Sequence, residues 1–137
     1  MVTYYPLNAD FTVENPDVVS ADFDRLAQVY AGRPIVITEA GYPTSSDCRS
    51  SDAMQAQFVD NVFRAWDANS TQIVSITFSW LTDISPDAVS GYAKYYAVGS
   101  RPFAEFLRTL GLRTYPGPGQ DKPGFTALAA EAHKRGW

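Results

Sequence analysis

The run Pro34-Ile35-Val36-Ile37-Thr38 limits the possible folds more than any other segment. Its compact β-branched and apolar residues, without a polar alternate, predict a short strand buried on both faces. Segments of helical period flank it on either side. Ahead of it, Val19, Phe23, Leu26 and Tyr30 recur at spacings of four and three, with Gly32 where a helix C-cap belongs. After it, Ser50, Ser51 and Asp52 supply capping chemistry for a helix whose buried stripe is Phe58, Val59, Val62, Phe63 and Trp66, ending near Asn69. A strand set between two such helices joins its neighbours through crossovers, so the expected units are parallel, right-handed βαβ units.

The remaining segments extend this pattern. Val2 to Leu7 reads as a strand that stops at Pro6 and runs into a loop. Ile73 to Trp80 alternates apolar with small polar residues and reads as a third strand. A tyrosine-rich loop is expected next. It leads to a helix opening near Pro102, with Phe103, Phe106, Leu107 and Leu110 on one face and Gly111 closing it. Turns over 115–122 precede a last helix using Phe125, Leu128, Ala129 and Ala132. The prediction is an α/β fold with three parallel strands in one domain, residues 1–137. Such a sheet is short of strands, because parallel sheets are normally covered on both faces and protected at both edges.

Composition closes off several classes of function. Hydrophobic residues make up 45% of the chain and charged residues 19%, enough apolar material for a core and too little charge for disorder. A net charge of −4 without clustered Lys or Arg argues against nucleic acid and anionic membrane surfaces as partners. The N-terminal residues show no leader pattern, and no stretch approaches bilayer-spanning length. The single cysteine, Cys48, reads as a free loop thiol, and the single histidine, His133, as a solvated helix residue without ligand neighbours, so neither metal nor cofactor is expected. Gly117-Pro118-Gly119 lacks the Lys and helix start of a phosphate loop and reads as a turn.

Ligand sites of parallel α/β sheets and barrels gather beyond the C-terminal strand ends. That rule brings Tyr4, Tyr5, Glu39, Tyr42, Trp80 and Asp83 to one rim. A carboxylate among aromatic rings suits carbohydrate: rings stack on the apolar faces of sugars, and a carboxylate accepts hydroxyl hydrogen bonds or attacks an oxocarbenium-like centre. Taken alone, Tyr4, Tyr5 and Trp80 each read better as packing residues with a polar handle, and Asp83 as a turn or capping residue; their conjunction is what favours a site.

The segment Ile35-Val36-Ile37-Thr38-Glu39 followed by Ala40-Gly41-Tyr42-Pro43 resembles the seventh strand of clan A retaining glycoside hydrolases, and Tyr4-Tyr5-Pro6 and the Trp80 strand resemble their sixth and eighth. The pair of Tyr-Tyr-Pro and Glu-x-x-Tyr-Pro strands is most similar to the endo-galactanase-like group. Leu110-Gly111-Leu112-Arg113 and Lys122-Pro123 resemble barrel ends in this clan. The resemblance implies a partial (β/α)8 TIM barrel, its last three βα units plus a C-terminal helix. It further implies Glu39 as the catalytic nucleophile, Tyr4 or Tyr5 as the residue orienting it, and Trp80 as the platform under the sugar; Tyr42 and Asp83 are candidate substrate contacts from their place at the rim alone. A secreted parent enzyme is compatible with it.

One departure from the family limits what the chain can do. Retaining hydrolysis needs a second carboxylic acid roughly 5 Å from the nucleophile, and in this clan that acid follows an Asn at the end of the fourth strand. No Asn-Glu pair occurs in the chain. Asp10, Glu14 and Asp83 are the other acids expected near the rim, and in loops they would stay ionised and make poor general acids. The expectation is therefore a hydrolase ancestry without turnover by the isolated chain. The alternative is a non-catalytic module that binds saccharide at most weakly, through Tyr42 and Trp80, and self-associates through its strand edges and open barrel face. Copies of a three-stranded unit give six or nine strands, so such an assembly would not rebuild an eight-stranded site.

Overall fold

Strand β1 (Val2–Tyr4) opens the chain in the computed structural model, which describes residues 1–137. It ends ahead of Pro6, where the strand is expected to run into a loop. Pro6 has no N–H for the ladder, the Leu7 amide turns back to the Tyr5 carbonyl (2.8 Å), and Leu7 pairs antiparallel with Val13 instead. A turn of 3-10 helix at Pro16–Val18, capped by the Asn15 side chain, leads into α1 (Val19–Val29). Strand β2 (Ile35–Ala40) follows, then α2 (Asp52–Ala68), whose N-cap Ser51 accepts from the Met54 amide at 3.2 Å. Strand β3 spans Ile73–Phe78.

The segment expected as a tyrosine-rich loop is instead a helix, α3 (Pro86–Tyr96). Ser85 caps it through the Ala88 amide (3.1 Å) and Pro86 takes the first-turn position that a missing N–H suits. Helices α4 (Arg101–Arg108) and α5 (Pro123–Lys134) complete the chain.

The three strands form one parallel sheet in the order β1-β2-β3, an α/β arrangement with helical crossovers. Helices α1 and α2 pack together, and α5 lies against α2. Phe58, Val59 and Val62 of α2, Val19 and Phe23 at the start of α1, and Ile35, Ile37 and Ile73 of the strands are essentially inaccessible and belong to a single apolar cluster. The expectation that β2 is buried on both faces holds for one face only. Ile35 and Ile37 are sealed, while Val36 and Thr38 are half-buried, and Ser75 of β3, the register partner of Val36, and Thr3 of β1, the partner of Glu39, are exposed. No helix covers that second face, because α3 and α4 pack against each other near the strand ends.

Gln55 pins the ends of the sheet to the C-terminal segment. Buried on α2, it donates through Nε2 to the carbonyls of Tyr42 (2.8 Å) and Gly111 (3.1 Å). Gly111 itself has no room for a side chain, since a Cβ there would lie 2.1 Å from the Asp83 amide nitrogen. No helix of the chain is long and apolar enough to cross a membrane.

Candidate functional site: an aromatic cleft around Glu39

The parallel register sets the site. Thr3 of β1 is the partner of Glu39 on β2, so the next residues of β1 pass beside the Glu39 side chain. Tyr5, just past the end of β1, donates its hydroxyl to Glu39 Oε2 at 2.8 Å. The Ser79 amide continues the ladder to the Ala40 carbonyl (2.9 Å) and delivers Trp80 to the same rim. Gly41 makes this convergence possible: a Cβ there would lie 2.6 Å from the Ser79 carbonyl oxygen and 2.9 Å from the Tyr5 ring.

Above these strand ends lies a cleft of about 480 Å³, inside the range that holds small organic ligands. Its lining brings together Glu39 and Tyr5 from the ends of β2 and β1, Trp80 from beyond β3, Tyr92 of α3, and Phe103 and Phe106 of α4. Glu39 is the one charged group lining it. The Tyr5 ring meets Phe106 edge to face, with centroids 5.4 Å apart. Phe11 enters the cleft from the loop after β1 on a left-handed backbone, φ 64°, costly for a bulky side chain by about 1–3 kcal/mol. The surrounding loop enforces it. Asp10 accepts from both the Thr12 hydroxyl (2.6 Å) and the Thr12 amide (3.1 Å), and the Phe11 ring packs 4.8 Å from that of Phe103.

Three of the residues expected at the rim converge on the cleft: Glu39, Tyr5 and Trp80. Three do not. Tyr4 points to the opposite side of the strand end, into the core between Phe23 and Phe58, and donates to Asp22 Oδ2 at 2.7 Å. Tyr42 is 1% exposed, stacks on Phe58 at 5.2 Å and donates to the Glu14 carbonyl. Asp83 pairs with Lys122 Nζ at 2.7 Å, and Lys122 also donates to the carbonyls of Gly111 and Thr109, so this acid ties the end of β3 to the start of α5. Burial outweighs Lys122 and raises the Asp83 carboxyl above its ordinary range. A bound molecule in the cleft would touch none of the three.

The two remaining single residues are also accounted for. Cys48 is buried rather than in an open loop, with its Sγ 3.4 Å from the Pro102 carbonyl, and burial pushes the thiol up to about 11. His133 is exposed on α5. No group of three or more His, Cys, Asp or Glu side chains gathers in the geometry of a metal site.

The site's electrostatics rest on how little surrounds Glu39. Asp83, Glu105 and Glu131 each take a Lys or Arg partner. Glu39 takes only the Tyr5 hydroxyl. Burial first, and then the bond to Glu39, push the Tyr5 phenol well above its ordinary range, so it remains a donor throughout neutral and mildly alkaline pH. One carboxylate oxygen is thereby fixed in direction and the other is left for chemistry. The residues that complete the cleft, Phe11, Tyr92, Tyr96 and Val98, lie outside the set read from the sequence. The one available signal was the spacing of Tyr92, Tyr95 and Tyr96 at i, i+3 and i+4, which is helical. No family model matches the chain, and neither a curated protein nor a solved structure matches it.

Proposed function

We propose that Glu39 is the nucleophile of a retaining glycoside hydrolase site, carried on three βα units of a (β/α) barrel. The observation that supports this reading best is the Tyr5 hydroxyl on Glu39 Oε2 at 2.8 Å, at the C-terminal ends of parallel strands, inside an aromatic cleft. In such a reaction the free carboxylate oxygen attacks the anomeric carbon, the bond to the leaving oxygen breaks, and water later releases the sugar. Tyr5 holds Glu39 in line and Trp80 lies under the sugar ring. The acid that protonates the leaving oxygen is not supplied by this cleft, whose lining contains no carboxyl group other than Glu39. On this reading the chain forms a glycosyl-enzyme bond only with sugars whose leaving group needs no proton.

Activated 2-deoxy-2-fluoro glycosides with dinitrophenolate leaving groups test it. Incubation with a panel differing in sugar configuration should add the mass of one fluoroglycosyl group to the peptide containing Glu39, and Glu39→Gln should abolish the adduct. Absence of an adduct across the panel would exclude the nucleophile. Ordinary alkyl glycosides should remain uncleaved, because their leaving oxygen requires the absent acid.

A second reading follows from the uncovered sheet face and from the free edges of β1 and β3. These favour association with further copies or with complementary strands. Sedimentation equilibrium should give a mass of two or more chains; a single-chain mass at all concentrations would remove this reading.

A further inference from the structure

Within the cleft, Trp80, Tyr92 and Tyr96 line up as a row. The Trp80 and Tyr92 ring planes lie within 22° of parallel with centroids 6.2 Å apart, and Tyr92 and Tyr96 within 18° at 6.4 Å. At these separations neighbouring parallel rings overlap only at their edges, so much of each face remains uncovered. The row does not stop at the cleft. Tyr95 stands edge-on to Tyr96 at 4.9 Å and is 80% exposed, with Tyr96 57% exposed. Tyr92 and Tyr95 flank a shallow groove of about 340 Å³ floored by Ala88 and Gly91, and a Cβ added at Gly91 would meet nothing within 4 Å.

Packing accounts for only part of these rings: Trp80 packs against the core and Tyr96 meets Phe103 edge to face at 6.1 Å, while Tyr92 and Tyr95 are exposed. Val89 is the one buried residue of α3, so the helix is hardly anchored by its own apolar side chains. Three exposed tyrosines on a helix with one buried residue, continued by the half-buried Trp80 after β3, form a patch of the kind that marks a binding surface. Their chemistry narrows the ligand. A tyrosine offers a flat apolar face and a hydroxyl at its edge, matching the apolar faces and hydroxyl edges of pyranose rings. Charge narrows it further, since the row runs into a cleft whose single charge is the Glu39 carboxylate, which would repel an acidic saccharide.

We infer that Trp80, Tyr92, Tyr96 and Tyr95 form a run of saccharide-binding positions leading out of the cleft, and that the ligand is a neutral oligosaccharide or polysaccharide chain rather than a small glycoside. This rests on the carbohydrate reading of the Glu39 cleft and deepens it. The α3 tyrosines would then carry chain-length preference, while Glu39 and Tyr5 carry the reacting sugar.

Isothermal titration with the β-1,4-linked hexasaccharides of glucose, mannose, galactose and xylose, each against its disaccharide, tests the run. At least one hexasaccharide should bind about tenfold or more tighter than its disaccharide. Tyr95→Ala should weaken that hexasaccharide about three- to tenfold, and Tyr95→Phe, which keeps the ring, should retain it. Equal affinity for long and short saccharides, no binding of any, or an unchanged affinity in Tyr95→Ala would each overturn the inference. So would a fall in sedimentation mass on Tyr95→Ala, because the row would then be a contact between copies of the chain. Binding needs no covalent attack, so this outcome is independent of the adduct at Glu39: a chain that forms no adduct can still show the length preference, and one that forms it can lack it.

Discussion

The helix-covered side of the sheet and the cleft at its strand ends are both lined with aromatic rings, but they use them differently. On the covered side, Phe58 lies between Tyr42 and Tyr4, and both phenols are capped, one by the Glu14 carbonyl and the other by Asp22. In the cleft, Trp80, Tyr92 and Tyr96 leave ring faces open, and the single carboxylate has a tyrosine instead of a cation. The first arrangement satisfies both phenols internally and so contributes stability. The second leaves surface and charge unsatisfied, which is useful only if something else arrives to satisfy them.

The largest expected effects belong to the covered side. Phe58→Ala removes a sealed ring from between two others and should cost about 3–5 kcal/mol by urea denaturation. Trp80→Ala should cost no more than about 2 kcal/mol, because its larger ring is only half-buried and full burial of an apolar side chain contributes about 1.5–3 kcal/mol. Should the two prove equal, the cleft is part of the core and the contrast fails.

Lys122→Met probes the same side through charge. Removing one partner of a buried pair costs about 3–5 kcal/mol, since Asp83 and the Gly111 and Thr109 carbonyls lose their donor. The pH dependence has a definite sign. Burial already raises Asp83, so the folded state holds its proton at pH values where the unfolded chain has released it. Stability from this group is therefore present at low pH and falls as pH rises through the folded value. Losing Lys122 steepens that fall. Urea midpoints at pH 4 and pH 8 should diverge more in Lys122→Met than in the parent, and Asp83→Asn in the same background should bring them together.

How much of this contrast the sequence carries depends on the range of each interaction. The β2 run and the α2 stripe are legible because their periods and caps lie within a few residues of one another. Glu39 is legible as a rim residue because β2 ends there. The partner of Asp83 is not, since Lys122 stands 39 residues away and only the tertiary fold brings it close. Helix α3 was hidden by its own composition: its period is written in tyrosines, with Gly91 inside and Gly99 just beyond, so it resembles a loop. Phe103 and Phe106 read correctly as one helix face, but nothing local shows that this face lines a cleft.

A smaller effect is expected at the end of α5. Glu131 lies between Lys134 and Arg135, and Arg135 also pairs with Asp67 and sits 4.6 Å over the Phe63 ring. The bond from Lys134, and then that from Arg135, hold the Glu131 carboxyl below the usual carboxylate range. Its contribution is thus present above the unfolded carboxylate value of about 4.3 and lost as pH falls through the folded value. Glu131→Gln should lower stability by about 1–2 kcal/mol at pH 7 and flatten the acid limb of a melting-temperature profile between pH 5 and 3. An unchanged acid limb would mean the network is screened by solvent.

The smallest stability effect falls on the most informative residue. Tyr4 and Tyr5 are consecutive, yet alternation sends one into the core and the other into the cleft, a division that the register irregularity between Val2 and Thr3 conceals from any reading of so short a strand. Each phenol donates to one carboxylate, at 2.7 Å and 2.8 Å. Tyr4→Phe strands a half-buried Asp22 and should cost about 1–2 kcal/mol, since bonds to charged groups exceed the usual range. Tyr5→Phe should cost less than about 0.5 kcal/mol, because water can replace the hydroxyl at an exposed carboxylate. Its effect should appear in the chemistry instead, as a slower rate of fluoroglycosyl adduct formation at Glu39 with little change in melting temperature. If Tyr5→Phe destabilises as much as Tyr4→Phe and leaves the adduct rate alone, the Tyr5 bond is a structural tie like its neighbour's, and Glu39 loses its orienting partner as a reason to be called a nucleophile.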